Sequence, residues 1–328
     1  MEIREQFEKL FEGKLSFEEA TTLLCDLYEK GESATEIATA ASVMRQHAIG
    51  LDVPPALHER MIDIVGTGGD KSGSFNISTT VSLVVASMGY VVAKHGNRSV
   101  TSRSGSTDLL EALGFCLDLD EQAKLTLLEE MGFCFFPATN HHPAMKHIMP
   151  VRKALSHRTI FNLLGPLTNP AGAKRYLLGV FDPSYVTRMA KALLALEVKR
   201  AFVVSSNDGM DEIGISGNTT FAYIEQGRMF EGEINPRQYG FALAPKEAIL
   251  GGDAQENATI TRQILSGELR GAKRDVVVLN SAFALFVAGE CSLDEAIERV
   301  EVHLDSAKAY SHLEKMVQRS QALAKGSK

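Results

Sequence analysis

Between residues 63 and 108 the chain runs apolar strand, glycine-rich polar turn and apolar helix, then strand and polar turn again. Ile62, Ile64 and Val65 are followed by Gly66, Gly68, Gly69 and Asp70, and then by a small-polar run over 72–80. An apolar helical segment and a second apolar strand at 90–93 come next. That strand leads into Lys94-His95-Gly96-Asn97-Arg98 and the hydroxyls of Ser99, Thr101, Ser102, Ser104, Ser106 and Thr107. Such a pattern leaves few folds open, because parallel strands need a long crossover and bury both faces of their sheet under helices. Glycines let a backbone come close to an anion, and helix N-termini offer it unpaired N–H groups. Two polar turns in succession, one with a cationic tip, predict a site for a polyphosphorylated ligand.

The rest of the chain fits that frame. Residues 1 to 50 read as three short helices, two of them opened by the capping boxes Ser16/Glu19 and Ser33/Glu36. From residue 61 on, strands are predicted at 62–65, 90–93, 133–136, 176–180, 201–204, 220–223 and 276–279. Helices are predicted at 81–88, 107–113, 120–131, 184–196, 253–265 and 280–288, with a third capping box, Ser292/Glu295, opening a C-terminal helical part. Continuous apolar strands mark a sheet covered on both faces. The expected class is α/β: a small helical domain over 1–60, joined by later helices, and a large domain over 61–328. The large domain has a mostly parallel central sheet flanked by helices. In such sheets ligands bind beyond the carboxyl ends of the strands. The turns 66–70, 94–97 and 205–212 are expected to meet there.

Composition excludes several classes. Apolar residues make up 45% of the 328 and charged residues 23%, an ordinary globular balance. A net charge of −7 gives no general attraction to nucleic acid. Cys25, Cys116, Cys134 and Cys291 form no CxxC pair, so neither a zinc ribbon nor a disulfide framework is indicated, and a cytoplasmic location is the simplest. The N-terminal stretch is charged and amphipathic rather than a signal peptide. The apolar runs at 81–93 and 276–288 are too short to span a bilayer, so no membrane is expected.

The motifs admit more than one chemistry when taken singly. Gly66-Thr-Gly-Gly-Asp70 is neither a dinucleotide fingerprint nor a P-loop, since Lys71 and Ser74 stand where those need Gly and Lys. It is a tight strand-to-helix turn or an anion loop, and Asn76-Ile77-Ser78-Thr79 at a helix start favours the loop. Lys94 and Arg98 around a Gly-Asn turn make a solvated loop or a phosphate cradle. Asp211-Glu212 is a solvated turn or a magnesium site, because Mg²⁺ takes one or two carboxylates plus water and substrate phosphate. His141, His142 and His147 have no zinc spacing. Arg158 is a surface residue or a bidentate clamp for a carboxylate.

Taken together, GTGGD with FNIST, KHGNRSV with SGSTD, HPAMKHIMPVR, RTIFNLLGPLTNP and GMDE closely resemble the motifs of the anthranilate phosphoribosyltransferases, over nearly the whole chain. The resemblance implies a helical domain hinged to the α/β domain over the active site, and a homodimer formed through the helical part. It implies transfer of the phosphoribosyl group of 5-phosphoribosyl 1-diphosphate (PRPP) to anthranilate, with release of diphosphate. Carried over by position, PRPP would be held by Gly66, Gly69, Asp70, Ser74, Asn76, Ile77, Ser78 and Thr79. Lys94, His95, Gly96, Asn97, Arg98, Ser99, Val100, Thr101, Ser102 and Ser106 would complete its site. Ser74 stands where the family often has Thr, and Thr101 where it often has Ser; each supplies a hydroxyl. Ser78, Asp211 and Glu212 would bind two Mg²⁺ per subunit. Gly66, Asn97 and Arg158 would hold anthranilate, with His142 near its entrance. A nucleic-acid-binding relative of the fold would lack the arginine and carry a basic surface, whereas this chain has Arg158 and is acidic. A pyrimidine nucleoside phosphorylase shares the architecture, but RTIFN and GMDE argue against it.

Overall fold

The computed structural model describes residues 2–99, 103–289 and 291–326. Its seven strands are β1 (Met61–Gly66), β2 (Val91–Gly96), β3 (Phe133–Pro137), β4 (Arg175–Gly179), β5 (Arg200–Ser206), β6 (Thr219–Glu225) and β7 (Arg228–Ile234). They form one sheet in the order β3-β2-β1-β4-β5-β6-β7. The first five are parallel, with Ile62 opposite Val92 and Ile64 opposite Leu177. The last three form an antiparallel meander, with Val203 opposite Ala222. The chain is thus α/β with a mostly parallel sheet.

Fifteen α-helices surround the sheet among the described residues: α1 (Ile3–Phe11), α2 (Phe17–Lys30), α3 (Ala34–Gln46), α4 (Pro55–His58), α5 (Ile77–Ser87), α6 (Ser106–Leu113), α7 (Glu121–Met131), α8 (Ala138–His141), α9 (Met145–Ala154), α10 (Phe161–Leu164), α11 (Val186–Ala195), α12 (Ala254–Leu265), α13 (Ala272–Ala288), α14 (Leu293–Asp305) and α15 (Lys308–Gly326). All three capping boxes are formed, each with the Ser hydroxyl accepting from the Glu backbone N–H and the Glu carboxylate accepting from the Ser backbone N–H. None of the helices is long and apolar enough to cross a membrane.

The alternation of side chains along β1 divides the core. Ile62 and Ile64 join Val92, Leu177 and Phe202 in a cluster with α5, α13 and α14. Val65 joins Tyr176, Leu178 and Val203 on the other face, under α1, α2, α3 and α11. The first three helices therefore bury their apolar stripes in the same cluster as one face of the sheet. Where α3 ends, the Ile49 backbone N–H donates to the His141 carbonyl at 2.8 Å and the His141 ring donates back to the Ile49 carbonyl at 2.7 Å.

Two sequence expectations need correction. The run 276–279 is no strand but lies inside α13, where Val276, Val277, Val278 and Leu279 are all buried. A helix enclosed on every side has no polar face, so its periodicity vanishes, and three β-branched valines then mimic a strand. Conversely β7 went unread, because Arg228, Glu231 and Glu233 give this edge strand the charge that blunts an exposed edge.

Candidate active site

β1 is the point where the sheet changes direction: the crossover through α5 leads to β2 on one side, and β4 lies on the other. A crevice forms beyond the carboxyl ends of the strands at such a point. Both strands end there in glycine, Gly66 opposite Gly179. The reason is the turn after β5, which lays Asp211 across them. A Cβ on Gly66 would collide with the Asp211 carboxylate, and one on Gly179 with the Asp211 carbonyl oxygen.

The acidic turn is held from several directions. Asp211 Oδ2 accepts from the Gly68 N–H at 2.7 Å. Glu212 Oε1 accepts from the Ser78 N–H at 3.1 Å, in the first turn of α5. The buried Asn280 of α13 takes the Ile213 N–H on its Oδ1 at 3.0 Å and gives its Nδ2 to the Ile213 carbonyl at 2.8 Å. Withdrawal from water, then the charge of Asp70, holds the Asp211 carboxyl above the usual carboxylate range. Withdrawal from water, then Asp211, does the same for Glu212. Two carboxylates crowded in this way are relieved by a divalent cation. Among the described residues no three His, Cys, Asp or Glu side chains converge as a complete metal cage. A pair of carboxylates beside the start of α5, where the Ser78 N–H meets Glu212, suits magnesium, which completes its shell with water and substrate phosphate.

Lys94 and His95 are not at a loop tip. β2 runs on to Gly96 and buries both. Lys94 Nζ donates to the Ile64 carbonyl at 2.6 Å. Burial pulls its ammonium below the ordinary lysine range, against the attraction of Asp63, Glu212 and Asp211. Asp63 is wholly buried, and burial pushes its carboxyl up to about 7 despite Lys94. It accepts from the His95 N–H at 3.2 Å and from Asn169 Nδ2 at 2.7 Å, which ties the 165–170 turn to β2. The His95 Nδ1 lies 3.0 Å from the Gly165 carbonyl, and burial drops its pKa to about 3, so the ring is neutral. His142 is buried with its ring 5.3 Å from that of His95, and burial and His141 push it down to about 4.

The two polar turns meet. Thr79 Oγ1 donates to Ser106 Oγ at 3.0 Å, and Asn76 Nδ2 to the Ser104 carbonyl at 3.1 Å. Asp108 accepts from the Ser99 and Gly105 N–H groups at 3.0 and 2.8 Å, closing the second turn. Ser74 pairs with Leu250 in an isolated bridge, and Ser72 Oγ donates to its hydroxyl at 3.1 Å. Ile77 contributes backbone only, its side chain being core. Gly96 lies against Phe135 and Ser106, where a Cβ would come within 2.8 and 3.2 Å. Asn97 is exposed at the tip. Arg98 turns outward to Asp108 and Glu111, at 2.5 and 2.7 Å. Val100, Thr101 and Ser102 lie outside the described residues. At the first turn Arg158 donates to the Gly69 carbonyl and stacks over Phe181, its Cζ 3.6 Å from the ring centroid.

Sequence reading missed Gly179, Asn280 and Phe181. Gly179 had a readable sign, since it ends an apolar strand as Gly66 does. Asn280 had another: it is a lone amide in a long apolar run, and buried amides need partners.

Comparison with known proteins agrees with this geometry. Residues 58–310 match a family described as glycosyl transferase family, a/b domain. An anthranilate phosphoribosyltransferase of Rubrobacter xylanophilus is 46% identical over 324 residues, 98% of this chain and 94% of that one. The crystal structure of anthranilate phosphoribosyltransferase from Thermus thermophilus superposes with a TM-score of 0.91 at 42% identity, covering 97% of this chain and 94% of that one. The enzyme of Saccharomyces cerevisiae in complex with PRPP and Mg gives 0.85 at 28% identity, with 93% and 86% covered.

Proposed function

This chain belongs to the anthranilate phosphoribosyltransferases, and on that premise we propose how its own residues divide the work. The reaction is transfer of the phosphoribosyl group of PRPP to the amine of anthranilate, with release of diphosphate, in tryptophan biosynthesis. The observation that carries the assignment of the site is the acidic turn Asp211-Glu212, lying over the glycine ends of β1 and β4 beside the N-terminus of α5.

PRPP lies along the joined turns. Gly66, Gly69 and Asp70 bring backbone close to it. Ser74, Asn76, Ile77, Ser78 and Thr79 offer hydroxyls and N–H groups at the start of α5. His95 to Asn97 and Ser99, with Ser106, make the second wall, and Lys94 acts from beneath as a buried counter-charge. Val100, Thr101 and Ser102 are assigned to PRPP by the family motif alone, and Arg98 would have to leave Asp108 and Glu111 to reach it. Asp211, Glu212 and Ser78 would hold magnesium, two ions per subunit in this reading, and the Mg in the yeast enzyme's PRPP complex supports use of that metal. When bound, magnesium neutralises charge on the departing diphosphate. Arg158 and Asn97, with Gly66, hold anthranilate. The Phe181 ring fixes one face of the guanidinium, so its fork is set for a carboxylate.

The bond from the anomeric carbon to the diphosphate oxygen breaks with its electron pair leaving on diphosphate, the amine nitrogen bonds to that carbon, and one amine proton passes to the released diphosphate or to water. The neutral amine has its lone pair available, so no side chain is assigned as base. Arg158 and Asn97 contribute position, holding the amine in line with the anomeric carbon. A helical domain over 1–60, joined by later helices and hinged to the α/β domain over 61–328, would let closure exclude water. The exposed Phe17 and Tyr28 on α2 support a homodimer built through the helical part, and a biosynthetic activity fits the cytoplasm.

The test is loss of anthranilate fluorescence when protein, PRPP and MgCl₂ are mixed, with diphosphate measured in parallel. One diphosphate released per anthranilate consumed, abolished by EDTA, is the expected result. PRPP binding with anthranilate left intact would overturn the assignment of Asn97 and Arg158.

A further inference from the structure

Asn76 occupies the N-cap position of α5, where an asparagine side chain ordinarily accepts from an N–H of the first turn. Here it makes no such bond. Its Oδ1 accepts instead from Asn257 Nδ2 at 2.8 Å and from Ser104 Oγ at 3.1 Å, while its Nδ2 donates to the Ser104 carbonyl. Asn257 is itself buried in the first turn of α12 and its Oδ1 accepts from the Gly252 N–H at 2.8 Å. The segment before α12 is laced to the same region: the Gly251 N–H donates to the Gly73 carbonyl at 2.9 Å, and the Phe75 N–H to the Ile249 carbonyl at 3.2 Å. A Cβ on Gly251 would lie 2.5 Å from the Phe75 Cα, so the two segments touch backbone to backbone.

We propose that Asn257, far from the reacting atoms in sequence and outside both polar turns, is a positioning residue for PRPP. It holds the Asn76 carboxamide away from the end of α5 and against Ser104. One amide relay thereby sets the spacing of the two turns and keeps the start of α5 uncapped by its own asparagine. The donor pattern admits one arrangement only. Asn76 must spend its NH₂ on the Ser104 carbonyl, so its oxygen faces Asn257, and a donor at residue 257 is required. The proposal rests on the reading that Asn76 and the turn after it contact PRPP.

Asn257→Asp is the informative variant. It keeps the shape and the acceptor for the Gly252 N–H, and sets a carboxylate against the Asn76 oxygen. The expected result is a rise of about tenfold in the KM for PRPP, with kcat and the KM for anthranilate within about twofold, since one buried hydrogen bond is replaced by a repulsion. The ratio of variant to native KM should fall as pH is lowered, because the introduced carboxyl, once protonated, donates to Asn76 again. A PRPP KM unchanged at every pH, or a loss spread equally over all parameters in step with the melting temperature, would overturn the proposal. Asn76→Ala, measured beside it, separates the two layers. If it leaves the PRPP KM unmoved, the reading of the site fails. If it raises that KM while Asn257→Asp does not, only the relay fails.

Discussion

Asn280 does for the acidic turn what a neighbouring strand does for a sheet edge, pairing with both the N–H and the carbonyl of Ile213. Individual side chains in this site act mainly by fixing charge in place. Replacing the acidic pair, Asp211→Ala/Glu212→Ala, should lower turnover by about a thousandfold or more, as expected when charge stabilisation of a leaving group is removed. Steady-state assays check it, and normal activity would end the metal assignment. Arg158→Ala should raise the KM for anthranilate by about tenfold or more, the worth of a charge-assisted pair, with the KM for PRPP little changed. His95 gives a pH prediction. Its folded pKa, about 3, lies below its unfolded value, so its contribution to stability is present above about 6.5 and is lost as pH falls toward 3. At pH 5 the loss from this group is about 2 kcal/mol. The His95→Asn protein should therefore lose less stability than the native one between pH 7 and 5 in denaturant titrations. Much of this was not readable beforehand. Lys94 looked like a loop cation because the eye ends a strand at its last apolar residue, whereas the pairing of β2 with β3 continues to Gly96 opposite Pro137.

Among the elements, α13 shows how burial overrides local preference. Its apolar residues pack against α5, α14 and the sheet, and Phe283 meets Phe202 edge-to-face at 5.1 Å and Tyr239 at 5.7 Å. Phe283→Ala should cost about 3–5 kcal/mol, read as a shift of the urea midpoint, because the cavity cannot refill from rigid neighbours. The same helix carries Asn280, so a loosened α13 should also weaken activity. Elements with a solvent face were legible, since their polar residues recur at helical spacing, as in α2, α3 and α12. The edge strand β7 and the enclosed α13 were not, for opposite reasons: charges at 228, 231 and 233 interrupt the apolar pattern of one, and beyond Asp275 the other is almost continuously apolar.

The proposed homodimer is a property of the whole molecule, and light scattering should read twice the 35.7 kDa of one chain. Phe17→Glu on α2 should return it toward one chain's mass, because a charge would replace the exposed apolar contact. The alternation of strand and helix, the glycine turns and the five motifs were all set by the order of residues, and they carried the fold class and the chemistry. Those features are local, and local pattern survives in a string. The tertiary structure alone decided that Asp211 crosses Gly66 and Gly179, that Arg158 lies on Phe181, and that Asn257 reaches Asn76. These contacts join residues far apart in the chain. They depend on strand order and crossover geometry, which no short stretch of sequence encodes.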